Sequence, residues 1–138
     1  PRTAVIGEGA TIPLFPHVST HIDYEVELAV IIGKAGRDIA RDDAYAHVFG
    51  YTILNDVTAR DVQRRHGGQY FKGKGLDGSC PMGPVVVTKD EFPGDVLATG
   101  TPSGVGYAME PPRFLTDGDE VVCEIDGIGR LTNTVRPA

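Results

Sequence analysis

Residues 23–33 read DYEVELAVIIG. With the two-residue period of a strand, Tyr24, Val26, Leu28, Val30 and Ile32 share one face. Asp23, Glu25, Glu27, Ala29 and Ile31 share the other. The first face is apolar throughout and the second becomes apolar after Glu27, a pattern expected of a strand buried on both sides. Two carboxylates placed two residues apart, just ahead of that apolar run, therefore need a reason.

The flanking sequence suggests a β-rich chain with two short helices. TAVIGEGATIPLF (3–15) predicts a short strand, a Gly-rich turn and a second extended piece. ARDDAYAHVFG (40–50) predicts a helix with Asp42 or Asp43 near its start and Gly50 after its end. GYTILND (50–56) returns to strand composition, and VTARDVQRRH (57–66) has helical character up to Gly67-Gly68. QYFKGKGLDGSCPMGP (69–84) is rich enough in glycine and proline to predict an ordered loop, followed by a strand in VVVTKDE (85–91). PGDVLATGTPSGVG (93–106) predicts a turn, a strand and a Gly-rich loop. In GDEVVCEIDGIGRLTNTV (118–135), Asp126-Gly127 between two apolar runs signals a hairpin.

Composition narrows the function classes. The 138 residues suit one domain, 1–138, with 41% apolar and 23% charged residues, as in an ordinary globular protein. A net charge of -6 without any basic run argues against a nucleic-acid or anionic-membrane surface. No apolar run approaches the ~20 residues that a bilayer span needs. Cys80 and Cys123 lack the spacing of a zinc site, so a cytoplasmic protein with reduced cysteines is expected.

On a strand, Glu25 and Glu27 leave the same face, and Asp56 closes the second apolar strand. Two strands ending in acids can bring three carboxylates together at one end of a sheet. Buried without a partner, each would cost several kcal/mol and shift toward its neutral form. A hard divalent cation removes that cost, and Mg²⁺ or Mn²⁺ suits an all-oxygen site that leaves positions for water or substrate. The alternative is a solvated edge strand, with Asp56 capping the helix after it. Behind Asp56, Lys72 and Lys74 stand among glycines, where one could hold charge on an oxygen substrate. Thr99 and Thr101 lie in TGTPSGVG, whose glycines leave N–H groups free to face an anion, although it matches no P-loop or dinucleotide fingerprint. His17, His21, His47 and His66 are scattered, and no serine stands in a nucleophile elbow.

Taken in order, DYEVELAVIIGK, GYTILNDVTARDVQ, FKGKGLDGSCPMGP and GDVLATGTPSGVG resemble the fumarylacetoacetate hydrolase family. The resemblance is to its bacterial acylpyruvate hydrolase and 2-hydroxyhepta-2,4-diene-1,7-dioate isomerase branch. It implies a mainly β, mixed β-sandwich roll of the family's C-terminal-domain type, assembled as a homodimer. It also implies that Glu25, Glu27 and Asp56 hold Mg²⁺ or Mn²⁺. Lys74, three before the Asp of GLD, matches the family's active-site lysine, and Lys72 is a neighbour. Gln63 matches a glutamine that contacts substrate or water, and Thr101 a threonine that binds the substrate's carboxylate end. Arg60 and Asp61 are expected to pair on the helix.

The activity implied is metal-dependent cleavage of a C–C bond in acylpyruvates or related 2,4-dioxo acids. Isomerase, decarboxylase or hydratase chemistry on the same scaffold is the nearest rival, and a catalytically silent metal-binding protein the rival of another class. Two departures stand out. The family places a His/Glu pair on a lid ahead of the P-x-x-A-V-I-G stretch, and a longer segment where only Phe92 separates VVVTKDE from PGDVLATGTP. Both segments are expected to be missing from this sequence.

Overall fold

A computed structural model of the chain describes residues 1–91 and 100–138. Its strands are β1 (Val5–Ile6), β2 (Thr11–Leu14), β3 (Ile22–Asp23), β4 (Val26–Ile32), β5 (Val48–Asn55), β6 (Thr58–Ala59), β7 (Cys80–Thr88), β8 (Glu120–Ile125) and β9 (Gly129–Pro137). Helices α1 (Arg60–Arg65) and α2 (Tyr70–Lys74) lie between β6 and β7. Single 3₁₀ segments occupy Arg2–Ala4, Arg41–His47 and Gly106–Ala108. The mainly β expectation holds.

One sheet has the order β1-β7-β5-β4, a second β2-β9-β8, and β3 pairs with β6. The β1–β7 and β2–β9 pairs are parallel and the others antiparallel, so the two larger sheets are mixed. Ile53 of β5, Ile12 of β2, Val121 of β8 and Leu131 and Val135 of β9 belong to one buried cluster, which unites those sheets. Burial of each such side chain is worth roughly 2 kcal/mol. This cluster, rather than the two-residue β3–β6 pair, therefore holds the frame.

The strand buried on both faces is β5, not β4. β5 lies between β4 and β7, and Val48, Gly50, Tyr51, Thr52 and Ile53 are all buried. β4 ends its sheet among the described residues, with Leu28 buried and Ile32 exposed. Gly50 is not a helix stop, because 3₁₀ structure ends at His47 and the chain enters β5 directly. A Cβ at Gly50 would collide with the carbonyl oxygen of Val87 on the paired strand. The glycine thus permits the close approach of β5 and β7.

The stretch 69–84 also differs from the loop expected of it. Tyr70–Lys74 closes a helical turn, and β7 already begins at Cys80. The hairpin expected at Asp126-Gly127 is present: Ile125 pairs with Gly129 across a three-residue loop, with Gly127 at φ 83°. The strand expected early in 93–106 falls largely outside the described residues. Among the described residues no helix is long and apolar enough to cross a membrane, and Cys80 and Cys123 are free.

Candidate metal centre

The antiparallel register of β4 and β5 places Val26 opposite Asn55, so the start of one strand meets the end of the other. Glu27 lies in β4, whereas Glu25 occupies the break between β3 and β4. This departs from the expectation of both acids on one continuous strand. The break is held locally. The Glu25 N–H donates to Asn55 Oδ1 at 3.1 Å, and the Asp56 N–H to the Glu25 carbonyl at 2.9 Å. Asp56 does not cap α1, whose N-cap residue is Ala59. Its side chain turns to the acids instead.

Glu25, Glu27 and Asp56 each offer a carboxylate oxygen, all within 4.8 Å of one another. Lys74, the last residue of α2, sends its ammonium to Glu25 Oε2 at 2.7 Å and to Asp56 Oδ2. These four residues and Tyr70 line an open cavity. Burial works against the Lys74 charge, but bonds to Asp56 and Glu25 outweigh it and hold the ammonium's pKa above its usual value. Burial pushes the Glu27 carboxyl up, Asp56 and Glu25 push it further, and Lys74 offsets part of this. An ammonium resting on two of the carboxylates marks a place where positive charge is stabilised. The all-oxygen donor set is of the kind that Mg²⁺ or Mn²⁺ takes.

Arg60 and Asp61 do not pair with each other. Arg60 turns inward: Nη2 lies 2.9 Å from Asp23 Oδ2 and 2.6 Å from Glu25 Oε1, and Nε donates to Asp23 Oδ2 at 2.9 Å. Burial opposes its charge, yet these bonds to Asp23 and Glu25 raise its pKa on balance. Asp61 turns the other way, accepting from Ser19 Oγ at 2.5 Å, with Arg65 at 3.6 Å. The two residues are consecutive on a helix and so cannot face one another.

The remaining candidates are not among the residues that line this cavity. Gln63 is half-buried on α1, where its Cβ packs close to Gly73 of α2. Lys72 is exposed, and Thr101 is half-buried at the head of the Gly-rich loop. Thr99 is outside the described residues. The loop reaches the acids through its later part: Gly106 N–H and Tyr107 N–H donate to Asp23 Oδ1 and Oδ2 at 2.9 and 3.1 Å. Gly106 is required there, because a Cβ would strike the Arg113 carbonyl oxygen and approach Asp23 Oδ1 to 3.0 Å.

Sequence reasoning assigned no role to Asp23 or Tyr70. Asp23 is wholly buried, and the signal for it was a third acid heading the same run as Glu25 and Glu27. Tyr70 stands four residues before Lys74, one helical turn away, with its ring centroid 5.7 Å from the ammonium.

The model of the fumarylacetoacetate (FAA) hydrolase C-terminal family matches residues 1–93 and 92–136, two pieces that meet beside Phe92. The chain is 41% identical over 174 aligned positions to oxaloacetate tautomerase YisK of Bacillus subtilis, covering 95% of this chain and 58% of that protein. It thus spans well under two thirds of that relative's length. The structure of a fumarylacetoacetate hydrolase from Exiguobacterium antarcticum superposes with a TM-score of 0.91 at 38% identity, covering 99% of this chain and 64% of the other. A 2-hydroxyhepta-2,4-diene-1,7-dioate isomerase from Mycobacterium marinum gives a TM-score of 0.83 at 30% identity, covering 99% and 67%. With the resemblance read from its motifs matched by sequence, by architecture and by the convergence of its three acids, the chain belongs to the fumarylacetoacetate hydrolase family.

Proposed function

We propose that the chain carries the catalytic centre of a divalent-metal-dependent enzyme that acts on a 2-oxo or 2,4-dioxo acid through its enolate. Glu25, Glu27 and Asp56 would hold Mg²⁺ or Mn²⁺. The observation that carries this reading is the convergence of three carboxylates within 4.8 Å around the ammonium of Lys74. When bound, the cation supplies Lewis-acid polarisation of the 2-oxo group.

The chain's own residues do the rest. Lys74, held protonated, donates to the oxygen on which enolate charge develops. Thr101 binds the carboxylate end of the substrate with its hydroxyl and N–H, and Gln63 orients substrate or water. Tyr70 walls the cavity mouth beside Lys74. In the leading reading, water adds to the distal carbonyl of an acylpyruvate and the C–C bond breaks. One fragment leaves as a carboxylic acid, and the enolate of pyruvate takes a proton at carbon. A second reading, tautomerisation or isomerisation, uses the same enolate without cleavage, a proton leaving one carbon and returning elsewhere. The relative named an oxaloacetate tautomerase, at 41% identity, favours it. The protein is proposed to work as a cytoplasmic homodimer.

The test follows the ultraviolet enol band of acetylpyruvate and of oxaloacetate in Mg²⁺ and again in excess chelator, together with assayed pyruvate. Chelator-sensitive pyruvate release from acetylpyruvate supports hydrolysis. Chelator-sensitive enol loss from oxaloacetate alone supports tautomerisation. Turnover that survives chelation sinks the metal reading, and cation binding without any turnover leaves a silent binding protein.

A further inference from the structure

Glu25 is held from two sides, by Lys74 on Oε2 and by Arg60 on Oε1. The second hold is the unusual one. Arg60 is 8% exposed, and Asp23 beneath it is 0% exposed, so this ion pair sits where water contributes little. Asp23 accepts from Tyr24 N–H and Gly106 N–H on Oδ1, and from Arg60 Nε and Tyr107 N–H on Oδ2. Nothing in the proposed chemistry uses either residue. Buried ionic pairs are rarely kept for stability alone, since apolar replacements often do as well.

We infer that Asp23 and Arg60 are positioning residues that fix the orientation of Glu25 and tie it to the 105–107 end of the Gly-rich loop. The inference rests on the metal-centre reading above. The chain of contacts is continuous: Gly106 and Tyr107 N–H to Asp23, Asp23 to Arg60, and Arg60 to Glu25. The ring of Tyr107 adds a second link, with the guanidinium carbons of Arg60 and Arg64 at 5.3 and 4.5 Å from its centroid. The 105–107 end of the Gly-rich loop and the acid that would face the cation are thus set by one buried group. Arg60 donates from Nη2 to both carboxylates and from Nε to Asp23 as well, a rigid fork of two nitrogens that a lysine's single ammonium does not reproduce.

Charge and orientation predict opposite signs, which makes the inference testable. If Arg60 served only as a charge, removing it would make the centre more negative and tighten cation binding. If it positions Glu25, removal weakens binding. The charge-balanced pair Asp23→Asn/Arg60→Met leaves net charge unchanged, avoids an orphaned buried ion, and keeps the arginine stem's bulk. Free Mn²⁺ would be followed by electron paramagnetic resonance in titrations of the full chain, well below each variant's melting temperature. The expected result is a Kd for Mn²⁺ raised roughly tenfold or more in the double variant and in Arg60→Lys, the usual range when a ligand's supporting partner is lost. Exchange of the Gly106 and Tyr107 amides should quicken in the double variant, because an asparagine side chain keeps one accepting oxygen where the Asp23 carboxylate has two. An unchanged Kd in the double variant, with wild type binding Mn²⁺, overturns the positioning role and leaves the metal centre intact. Wild type that binds no Mn²⁺ overturns the metal reading and this inference with it.

Discussion

The ammonium of Lys74 bonds to Glu25 and Asp56 at once, while Glu27 beside them receives no hydrogen bond from a described residue. Replacing Lys74 by methionine therefore leaves three neighbouring carboxylates with one cation fewer. Repulsion and lost charge-assisted bonds should cost on the order of 2 kcal/mol in chelator at neutral pH. Added Mg²⁺ should restore more stability to Lys74→Met than to wild type, because the metal no longer competes with the ammonium for Glu25 and Asp56. Thermal melts of both proteins with and without Mg²⁺ measure this, and equal metal-induced shifts would show that lysine and cation do not share oxygens. The acids themselves were legible in the sequence because an E-x-E pair ahead of an apolar run is costly without a partner. The inward turn of Arg60 was not legible, since a helical arginine next to an aspartate looks like a surface pair until tertiary contacts choose its direction.

At the scale of elements, α1 is only six residues long, too short to persist without tertiary anchors. One anchor is Asp61, which accepts from Ser19 Oγ and from the Val62 N–H at 2.8 Å, with Arg65 at 3.6 Å and His21 at 3.9 Å. Burial alone would raise its pKa. The bonds from Ser19 and Val62, with His21 and Arg65 nearby, instead leave it below the usual 3.8. A depressed carboxylate pKa contributes stability that is present above the unfolded value and lost as pH falls through the folded one. Asp61→Asn should therefore melt lower than wild type at neutral pH, and the gap should close as pH drops below 3.8. A gap that stays constant across an acid titration of the melting temperature would refute the anchor. The short elements also mark the limit of sequence reading. The strand at Val26–Ile32 was legible from its two-residue period, β5 from Gly50 onward from its composition, and β8 and β9 from an Asp-Gly turn between apolar runs. By contrast, α2 hides in a Gly-rich stretch because its glycine weakens helical propensity, and packing of Gly73 against Gln63 and the Ala59 carbonyl forms it regardless. Gly50 was misread for a related reason, since a glycine demanded by close strand approach looks the same in sequence as one that ends a helix.

At the scale of the whole molecule, the sheet of β7, β5 and β4 exposes large apolar side chains that a monomer has no reason to keep. Ile32 is 65% exposed, Phe49 52%, Val85 52% and Val86 45%. By the alternation of side chains along a strand, they divide between the two faces of the sheet. Ile32 pairs with Val48, on the face opposite Phe49, and a Cβ on Gly50, likewise opposite Phe49, would lie 3.0 Å from Val86 Cγ1. β4 ends this sheet among the described residues, and an open edge with apolar side chains exposed near it invites pairing unless covered. A second copy of the chain is the occupant consistent with the homodimer proposed above. Sedimentation equilibrium should then give twice the chain mass for wild type. Phe49→Glu combined with Val86→Lys should give the monomer mass, because a charge on each face of the sheet would have to be desolvated without a partner to form the contact. These changes lie on the outer surface, away from the cavity lined by Glu25, Glu27, Asp56, Tyr70 and Lys74, so Mn²⁺ binding should persist in the monomeric variant. A wild-type monomer, or a variant that remains dimeric, would place the interface elsewhere and leave the exposed side chains to be covered by another partner.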